Sequence, residues 1–479
     1  MRVYFLNPTL KDHTKFIREG RCMQKASSWA TVWPPITLAL LGTMAQKWGP
    51  VRLLDGDVES VTLEGLITDL RGFGPDLVVV NTGFPSIDSD MAIAKRIKEE
   101  FPEVRVLAFG VYFTMLEKQA FENYPFLDFC IVGEPELTFD ELLESLNAPQ
   151  PTLNAIRGLM YREGNDLRVN PPRPLLEDLD ALPIPDRGLL KNARYRLPHN
   201  NKVFTLINTA RGCPYSCTYC IVKTYYGKRA RRHSLERILE EVQNCRERFG
   251  IEDFLFWEEV FSLDKDFVRG FCQAVIDKGW NIRWAATTRV TAVDAETLAL
   301  MKRAGCYLIG LGIESGSQSI LDAAKKNQKL EDVRRAVTLA RQARIQTMGH
   351  FIFGLPGETR ETAEGTIRFM LDLGLDYMQC YCAVPYPKTE LGELARAEGW
   401  IRSARWSDYD FGGNSILQTS TMKPEDVDYF RRKAFRRFYF RPSYIARKIF
   451  RDFSVLQILR MASFGDWMNL VGLKTRTEL

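Results

Sequence analysis

Between Met1 and about Gln150, short apolar runs alternate with stretches whose apolar residues recur every three or four positions. VYFL, VRLLD, LVVV, VRVLAFG and FCIVG read as strands, and PPITLALLGTMAQKWG, MAIAKRIKEEF and FDELLESL as helices between them. Strand alternating with helix implies a parallel sheet covered on both faces, because each parallel connection must cross over and pack back on the sheet. Ligands of such a sheet sit at the carboxyl ends of its strands, near the switch in strand order. The residues there are Asn7 and Pro8, Thr82 to Ser86, Gly110 to Thr114, and Gly133 to Glu136. Several are small or turn-forming, which lets backbone approach a large ligand.

Residues 151–200 lose the alternation, carry PPRP and LPIPDR, and read as a linker packed across the surface. A second series starts at Val203: VFTLIN, FLFW, IRWAATT, YLIGLGIE, TMGHFIFG and DYMQCYCAVP read as strands, with helical patterns such as LERILEEVQNCRERF and AETLALMKRAG between them. Six such units predict a partial (β/α)6 form of the eight-unit barrel, open on one side, with its chemistry at the strand carboxyl ends. The fold class is α/β: a doubly wound parallel-sheet domain over 1–150, the linker, a TIM-like half-barrel over 201–400, and a helical region over 401–479.

With 479 residues and 45% apolar content, the chain can bury a substantial core. No apolar run approaches the ~20 residues of a membrane span, and MRVYFLNPT reads as a first strand rather than a signal peptide. A cytoplasmic protein is the expectation, and the ten cysteines, most of them singly placed, fit a reducing compartment. The net charge of +5 is uneven: Arg431 to Arg460 holds ten Lys or Arg residues and one acid, Asp452.

One stretch concentrates chemistry. RGCPYSCTYC sets Cys213, Cys217 and Cys220 within eight positions, after the first strand of the second series. Structural zinc needs four ligands, and none of His13, His199, His233 and His350 lies within ten residues of the cysteines. A disulfide would strand one thiol. Three cysteines holding a 4Fe-4S cluster leave the fourth iron without a protein ligand, open to another molecule.

CxxxCxxC with Tyr219 before the last cysteine resembles the signature of the radical S-adenosylmethionine (SAM) superfamily. The resemblance implies that Glu258 or Glu259, in FLFWEEVF, meets the methionine amine of SAM. It likewise makes Arg289 in TTRV, Glu314 and Ser315 in GLGIESGSQ, and Gly349, Ile352 and Gly354 in GHFIFGLPGET further SAM contacts. With WPPITLALLGTMAQKWGPVRLLDGD, PDLVVVNTGFPS, VRVLAFGVYFT and DFCIVGEPELTFDELL added, the chain resembles the cobalamin-binding radical SAM family over most of its length. This implies cobalamin contacts at Thr82, Gly83, Gly110, Tyr112, Gly133 and Glu134. The chain departs from the family pattern at Phe109 and Val111, at Pro135, and at Lys388. It also lacks DxHxxG, and His13, the only histidine of the first 150 residues, lacks that context, so the lower face of cobalt should be open or hold water.

The resemblance implies an enzyme that makes a 5′-deoxyadenosyl radical at the cluster and acts on an unactivated carbon. Methyl transfer is the favoured outcome, with ring formation or rearrangement as the alternative. A small-molecule or lipid-derived substrate and an electron donor such as flavodoxin or ferredoxin are the implied partners. No RNA-binding module is evident, and a methylthiotransferase would carry a second cysteine trio where this chain has only Cys22 and Cys130. Cys380 and Cys382 alternate on one strand face, expected inside the barrel as core thiols; Cys22, Cys130, Cys245, Cys272 and Cys306 take no function. In residues 429–451, Phe430, Ala434, Phe435 and Phe438 recur at helical spacing among Arg431, Arg432, Lys433, Arg436 and Arg437. The plain reading is a helix closing the barrel's open side; the sharper one is peripheral contact with an anionic membrane.

Overall fold

The computed structural model describes residues 1–9, 14–26, 32–164, 166–198 and 200–445. His13, His199 and the end of the basic stretch, from residue 446 on, lie outside the described residues. Five parallel strands form the first sheet in the order Val51–Asp55, Val3–Asn7, Leu77–Thr82, Arg105–Gly110, Phe129–Ile131. The strand order switches between Val3–Asn7 and Leu77–Thr82, which puts the ligand crevice of a doubly wound sheet at Asn7 and Thr82. Both of these strands are buried along their whole length, as helices on both faces require.

Two features were not foreseen. Part of the expected linker belongs to the sheet: Leu159–Glu163 pairs antiparallel with Phe129–Ile131, and Asp166–Val169 pairs with it in turn. These strands are too short, and too close to prolines, to show a pattern. Farther along, fully buried Arg187 donates to Leu206 O at 2.7 Å and pairs with Glu241 at 2.6 Å, pinning the connection to the second sheet. Second, an antiparallel hairpin, Phe16–Glu19 with Cys22–Lys25, folds over the carboxyl ends of the first sheet. Its Arg18 is buried at the switch point, donating to Asn7 Oδ1 at 2.9 Å, Pro8 O at 2.8 Å and both oxygens of Asp90 at 3.0 and 2.8 Å.

Six parallel strands follow one another in chain order in the second sheet: Phe204–Asn208, Asp253–Trp257, Arg283–Thr288, Cys306–Glu314, Gln346–Phe353 and Tyr377–Cys382. The first and last strands do not pair with each other, so the half-barrel is open as expected. Alternation sorts the side chains. Phe254, Phe256, Trp284, Ile309, Leu311, Ile313, Phe351 and Phe353 pack outward into the core beneath the helices. Met348, His350, Ile352, Gln379 and Tyr381, all only partly buried, are left on the inner face.

The helix Pro424–Tyr439 covers the last strand. Val427, Phe430, Ala434 and Phe438 are buried, and Tyr439 Oη donates to Met378 O at 2.7 Å. Its cations meet protein: Arg431 donates to Gly412 O at 2.9 Å and to Cys380 O at 3.4 Å, while Lys433 and Arg437 each pair with Glu364 at 2.7 Å. Cys380 and Cys382 face this outer side rather than the barrel interior. The Cys382 thiol points to the carbonyls of Asp410 and Phe411 at 3.4 and 3.5 Å, Cys380 Sγ lies 3.4 Å from Met378 Sδ, and burial pushes both thiols up to about 12. The alternation was right about their shared face and silent about which face it was. Among the described residues, no helix is long and apolar enough to cross a membrane.

Candidate active site

A short antiparallel pair, Ala210–Arg211 with Arg231–Arg232, closes the loop that carries the three cysteines. Gly212 opens the loop at φ +93°, and a Cβ there would fall 2.1 Å from Arg229 O, so only glycine makes the turn. Cys213 N donates to Gly227 O at 3.3 Å, Thr218 N to Ala324 O at 3.1 Å and Cys220 N to Cys217 O at 3.2 Å, which fixes the path of the loop. The three thiols are free and partly exposed. They lie near enough to influence one another: burial, with Arg21 opposing it and Cys217 and Cys213 adding to it, pushes Cys220 up to about 12. Buried Cys130, Cys245, Cys272 and Cys306 lie apart in the hydrophobic core. Among the described residues, no group of three or more His, Cys, Asp or Glu side chains is arranged around a single metal ion. Three free cysteines on one loop suit a 4Fe-4S cluster with one iron left to an outside ligand.

Two glutamates that meet different partners follow the second strand. Glu258 accepts from Thr209 Oγ1 at 2.5 Å and from both terminal nitrogens of Arg232 at 2.8 and 2.9 Å, so both of its oxygens are engaged. Glu259 accepts from Arg21 Nε at 3.2 Å through Oε1, while its buried Oε2 has no partner. Burial lifts its carboxyl to about 6 against the opposing charge of Arg21. An unpartnered buried carboxylate oxygen is costly unless a donor arrives. It fits the ammonium of SAM, and Glu258 does not.

Arg289, 4% exposed, lies over the Tyr215 ring at 3.7 Å, with Nη1 3.9 Å from Cys217 Sγ and Nε unpartnered. Glu314 has φ +66° where the pairing register slips, pairs with Lys326 Nζ at 2.5 Å and takes a hydrogen bond from Tyr219. Tyr219 and Ile352 pack against one small apolar cluster. The loop cysteines, Tyr219, Glu259, Arg289, Glu314 and Ile352 therefore share one end of the half-barrel. Three expected contacts turn their Cβ side elsewhere. Ser315 Oγ lies 3.2 Å from Thr366 Oγ1 in the helix layer, a Cβ on Gly349 would meet Leu375 and Ile313, and Gly354, at φ +87°, lies against Val427. At these positions the side-chain direction is taken up by the helix layer, which leaves only backbone to meet a ligand.

At the first sheet, Thr82 Oγ1 donates to Asp90 at 2.8 Å, and a Cβ on Gly83 would touch Met23. Gly110, at φ +125°, lies tight against Thr82 O, and Tyr112 is fully buried among Phe84, Phe113 and Trp406. Glu134 takes bonds from both terminal nitrogens of Arg231 at 2.9 and 2.8 Å, and although burial alone would raise its carboxyl, Arg231 and Arg211 hold it below the usual range. Gly133 differs: a Cβ there would meet nothing within 4 Å. Cobalamin is thus matched here by strand order and the open Gly133 turn, while Thr82, Tyr112 and Glu134 serve the protein interior.

Sequence reading missed Arg21, Lys326, His350, Gln379 and Tyr381. His350 Nδ1 lies 3.2 Å from Tyr381 Oη, which also donates to Gln379, and burial lowers the imidazole to about 4. Alternation along TMGHFIFG and DYMQCYC places these three on the inner face. Nothing local marks Arg21, which meets Glu259 across 238 positions.

Comparison with known proteins bears on the family and the fold. Residues 207–370 match the model of the Radical SAM superfamily. An uncharacterized methyltransferase of Pyrococcus horikoshii is 32% identical over 420 residues, 88% of this chain and 91% of that protein. The anaerobic magnesium-protoporphyrin IX monomethyl ester cyclase of Cereibacter sphaeroides is 28% identical over 82% of this chain and 64% of its own length. The solved structure of OxsB, a cobalamin-dependent SAM radical enzyme with aqua-cobalamin and SAM bound, shares the fold at TM-score 0.73 and 16% identity, covering 99% of this chain and 72% of that one. With a methyltransferase matched almost end to end, and both sheets reproduced in a structure of this architecture, the chain belongs to the cobalamin-binding radical SAM family.

Proposed function

We propose that this radical SAM enzyme transfers a methyl group to an unactivated carbon of a small-molecule or lipid-derived substrate. The observation that carries the reading is a loop with three free cysteines at the same end of the half-barrel as an acid, Glu259, that has one oxygen still unpartnered. When bound, the cluster and SAM supply a 5′-deoxyadenosyl radical and cobalamin supplies the methyl group. The chain's own residues bind and aim. Cys213, Cys217 and Cys220 hold iron, Glu259 Oε2 accepts the SAM ammonium, and the Arg289 guanidinium pairs with its carboxylate. Glu314 accepts from ribose, and Tyr219 and Ile352 present apolar surface to adenine. The outer helices and Pro424–Tyr439 pack the outer face of the strands and hold them in place, so that Met348, His350, Ile352, Gln379 and Tyr381 line the inner face.

His350, Gln379 and Tyr381 lie on the inner face, where the substrate binds in this reading. The reductant is a low-potential carrier such as flavodoxin or ferredoxin. Because Lys433 and Arg437 of the helix Pro424–Tyr439 pair with Glu364 and Arg431 donates to backbone carbonyls, we read it as a cover and not as a membrane anchor. Similarity to the ester cyclase favours ring formation as the second reading. Anaerobic incubation with trideuteromethyl-SAM and candidate extracts separates the two. Methyl transfer yields a product carrying the trideuteromethyl group, with 5′-deoxyadenosine and S-adenosylhomocysteine formed together. An unlabelled product accompanied by 5′-deoxyadenosine alone would overturn methyl transfer in favour of ring formation.

A further inference from the structure

We infer that Arg21, carried on the hairpin of the first domain, is the positioning residue of the SAM ammonium site: it holds one oxygen of Glu259 so that the other is presented to the ligand. This rests on the SAM reading of Glu259 given above. The hairpin turn reaches the second sheet at Gly20 and Arg21. Gly20 has φ +53°, and a Cβ there would lie 2.8 Å from Tyr226 Oη, so the turn seats against the end of the cluster loop only as glycine. Next to it, the Arg21 guanidinium lies 4.7 Å over the Trp257 ring, a cation–π contact. Trp257 is backed edge-on by Trp33 at 4.8 Å. The guanidinium is therefore held by aromatic surface before it meets an acid.

From that seat Arg21 Nε donates to Glu259 Oε1 at 3.2 Å, and the Arg21 and Glu259 side chains are 28% and 7% exposed. Glu259 Oε2 keeps no partner although it is buried. A carboxylate can accept at both oxygens, so filling Oε1 with a rigid planar donor fixes the rotamer and leaves Oε2 for a second donor. Glu258 offers no such vacancy, since Thr209 and Arg232 take both of its oxygens. The consequence is that the first domain, through one residue of its hairpin, sets the geometry of a cofactor contact in the second domain. At metal sites a residue that orients a ligating group is commonly worth about 10- to 100-fold in metal affinity or activity, and the same scale is expected for Arg21 and Glu259.

The test uses the anaerobically reconstituted full chain and four variants: Arg21→Met, Arg21→Lys, Glu259→Gln, and Arg21→Met with Glu259→Gln. SAM affinity is read from the change SAM induces in the electron paramagnetic resonance spectrum of the reduced cluster. Formation of 5′-deoxyadenosine with dithionite is followed alongside, and iron content controls for folding. Arg21→Met should weaken SAM by about tenfold or more, with the loss falling on KM for SAM more than on kcat, and Arg21→Lys should recover part of it. Added to Glu259→Gln, Arg21→Met should cost nothing further, because the residue acts through Glu259. Equal SAM affinity of Arg21→Met and the unaltered protein would overturn the inference while leaving Glu259 as the ammonium acceptor. So would an equal loss from Arg21→Met in both backgrounds. Unchanged affinity in Glu259→Gln would overturn the SAM reading of Glu259 itself, and Arg21's role with it.

Discussion

Changing Glu136 to Gln should loosen the seam between the two sheets. Arg211, two residues before Cys213, donates to Glu136 at 2.6 and 3.2 Å and lies 3.3 Å from Glu134, which is itself paired with Arg231. All four side chains are between 1 and 7% exposed. Removing one partner from a buried pair costs about 3–5 kcal/mol, because the surviving charge stays out of water. Glu134 remains beside Arg211, which places Glu136→Gln at the low end, about 3 kcal/mol. For a domain of ordinary size each kcal/mol moves the melting midpoint by roughly 2–4 °C, so the expected shift is about 6–12 °C. Thermal scans of the anaerobic holoprotein by circular dichroism measure it. Arg229→Gln is the control: its pair with Glu177 is 80% and 67% exposed, and such pairs contribute about 1 kcal/mol at most. An apolar double replacement, Arg211→Met with Glu136→Leu, should recover much of the loss, since the cost lies in the stranded charge. A Glu136→Gln midpoint no lower than that of the control would refute the reasoning.

Gly212→Ala should lose cluster iron while leaving the secondary structure intact, because its Cβ would fall 2.1 Å from Arg229 O at φ +93°; iron and sulfide analysis with far-ultraviolet circular dichroism checks both halves. His350 titrates near 4 when folded and near ~6.5 when unfolded, so the unfolded chain binds the extra proton between those values. Its contribution to stability is therefore present above that window and lost as pH falls through it, and a His350→Gln variant should show a shallower loss in denaturant titrations from pH 7 to pH 4. Arg432 and Arg436 are exposed on the covering helix, and changing both to Gln should leave cosedimentation with anionic liposomes unchanged at low salt. A clear drop would favour membrane contact, since each cation near such a surface is worth about 1 kcal/mol.

Both sheets and the cysteine loop were legible because their signals are local: alternation, three-to-four periodicity, and thiols at fixed spacing. The hairpin Phe16–Lys25 was not, since its strands of four residues carry Arg18, Glu19 and Gln24 in buried positions. Those polar residues are buried because partners far along the chain receive them, such as Asp90 for Arg18 and Thr37 for Glu19. The same limit applies to the two glutamates. Alternation puts Glu258 and Glu259 on opposite faces, but only Thr209, Arg232 and Arg21 show which one is engaged and which keeps an open oxygen. Ser315, Gly349 and Gly354 sit in the expected segments with their Cβ directions set by helix packing, which no short motif encodes.

The most direct measurement is 5′-deoxyadenosine formation from SAM under dithionite, made on the anaerobically reconstituted protein and on Cys217→Ala with iron content measured in parallel. The intact trio should carry the cluster and release 5′-deoxyadenosine, and Cys217→Ala should lose iron and form none. Undiminished iron and equal 5′-deoxyadenosine in Cys217→Ala would place the cluster elsewhere and contradict the assignment of Cys213, Cys217 and Cys220.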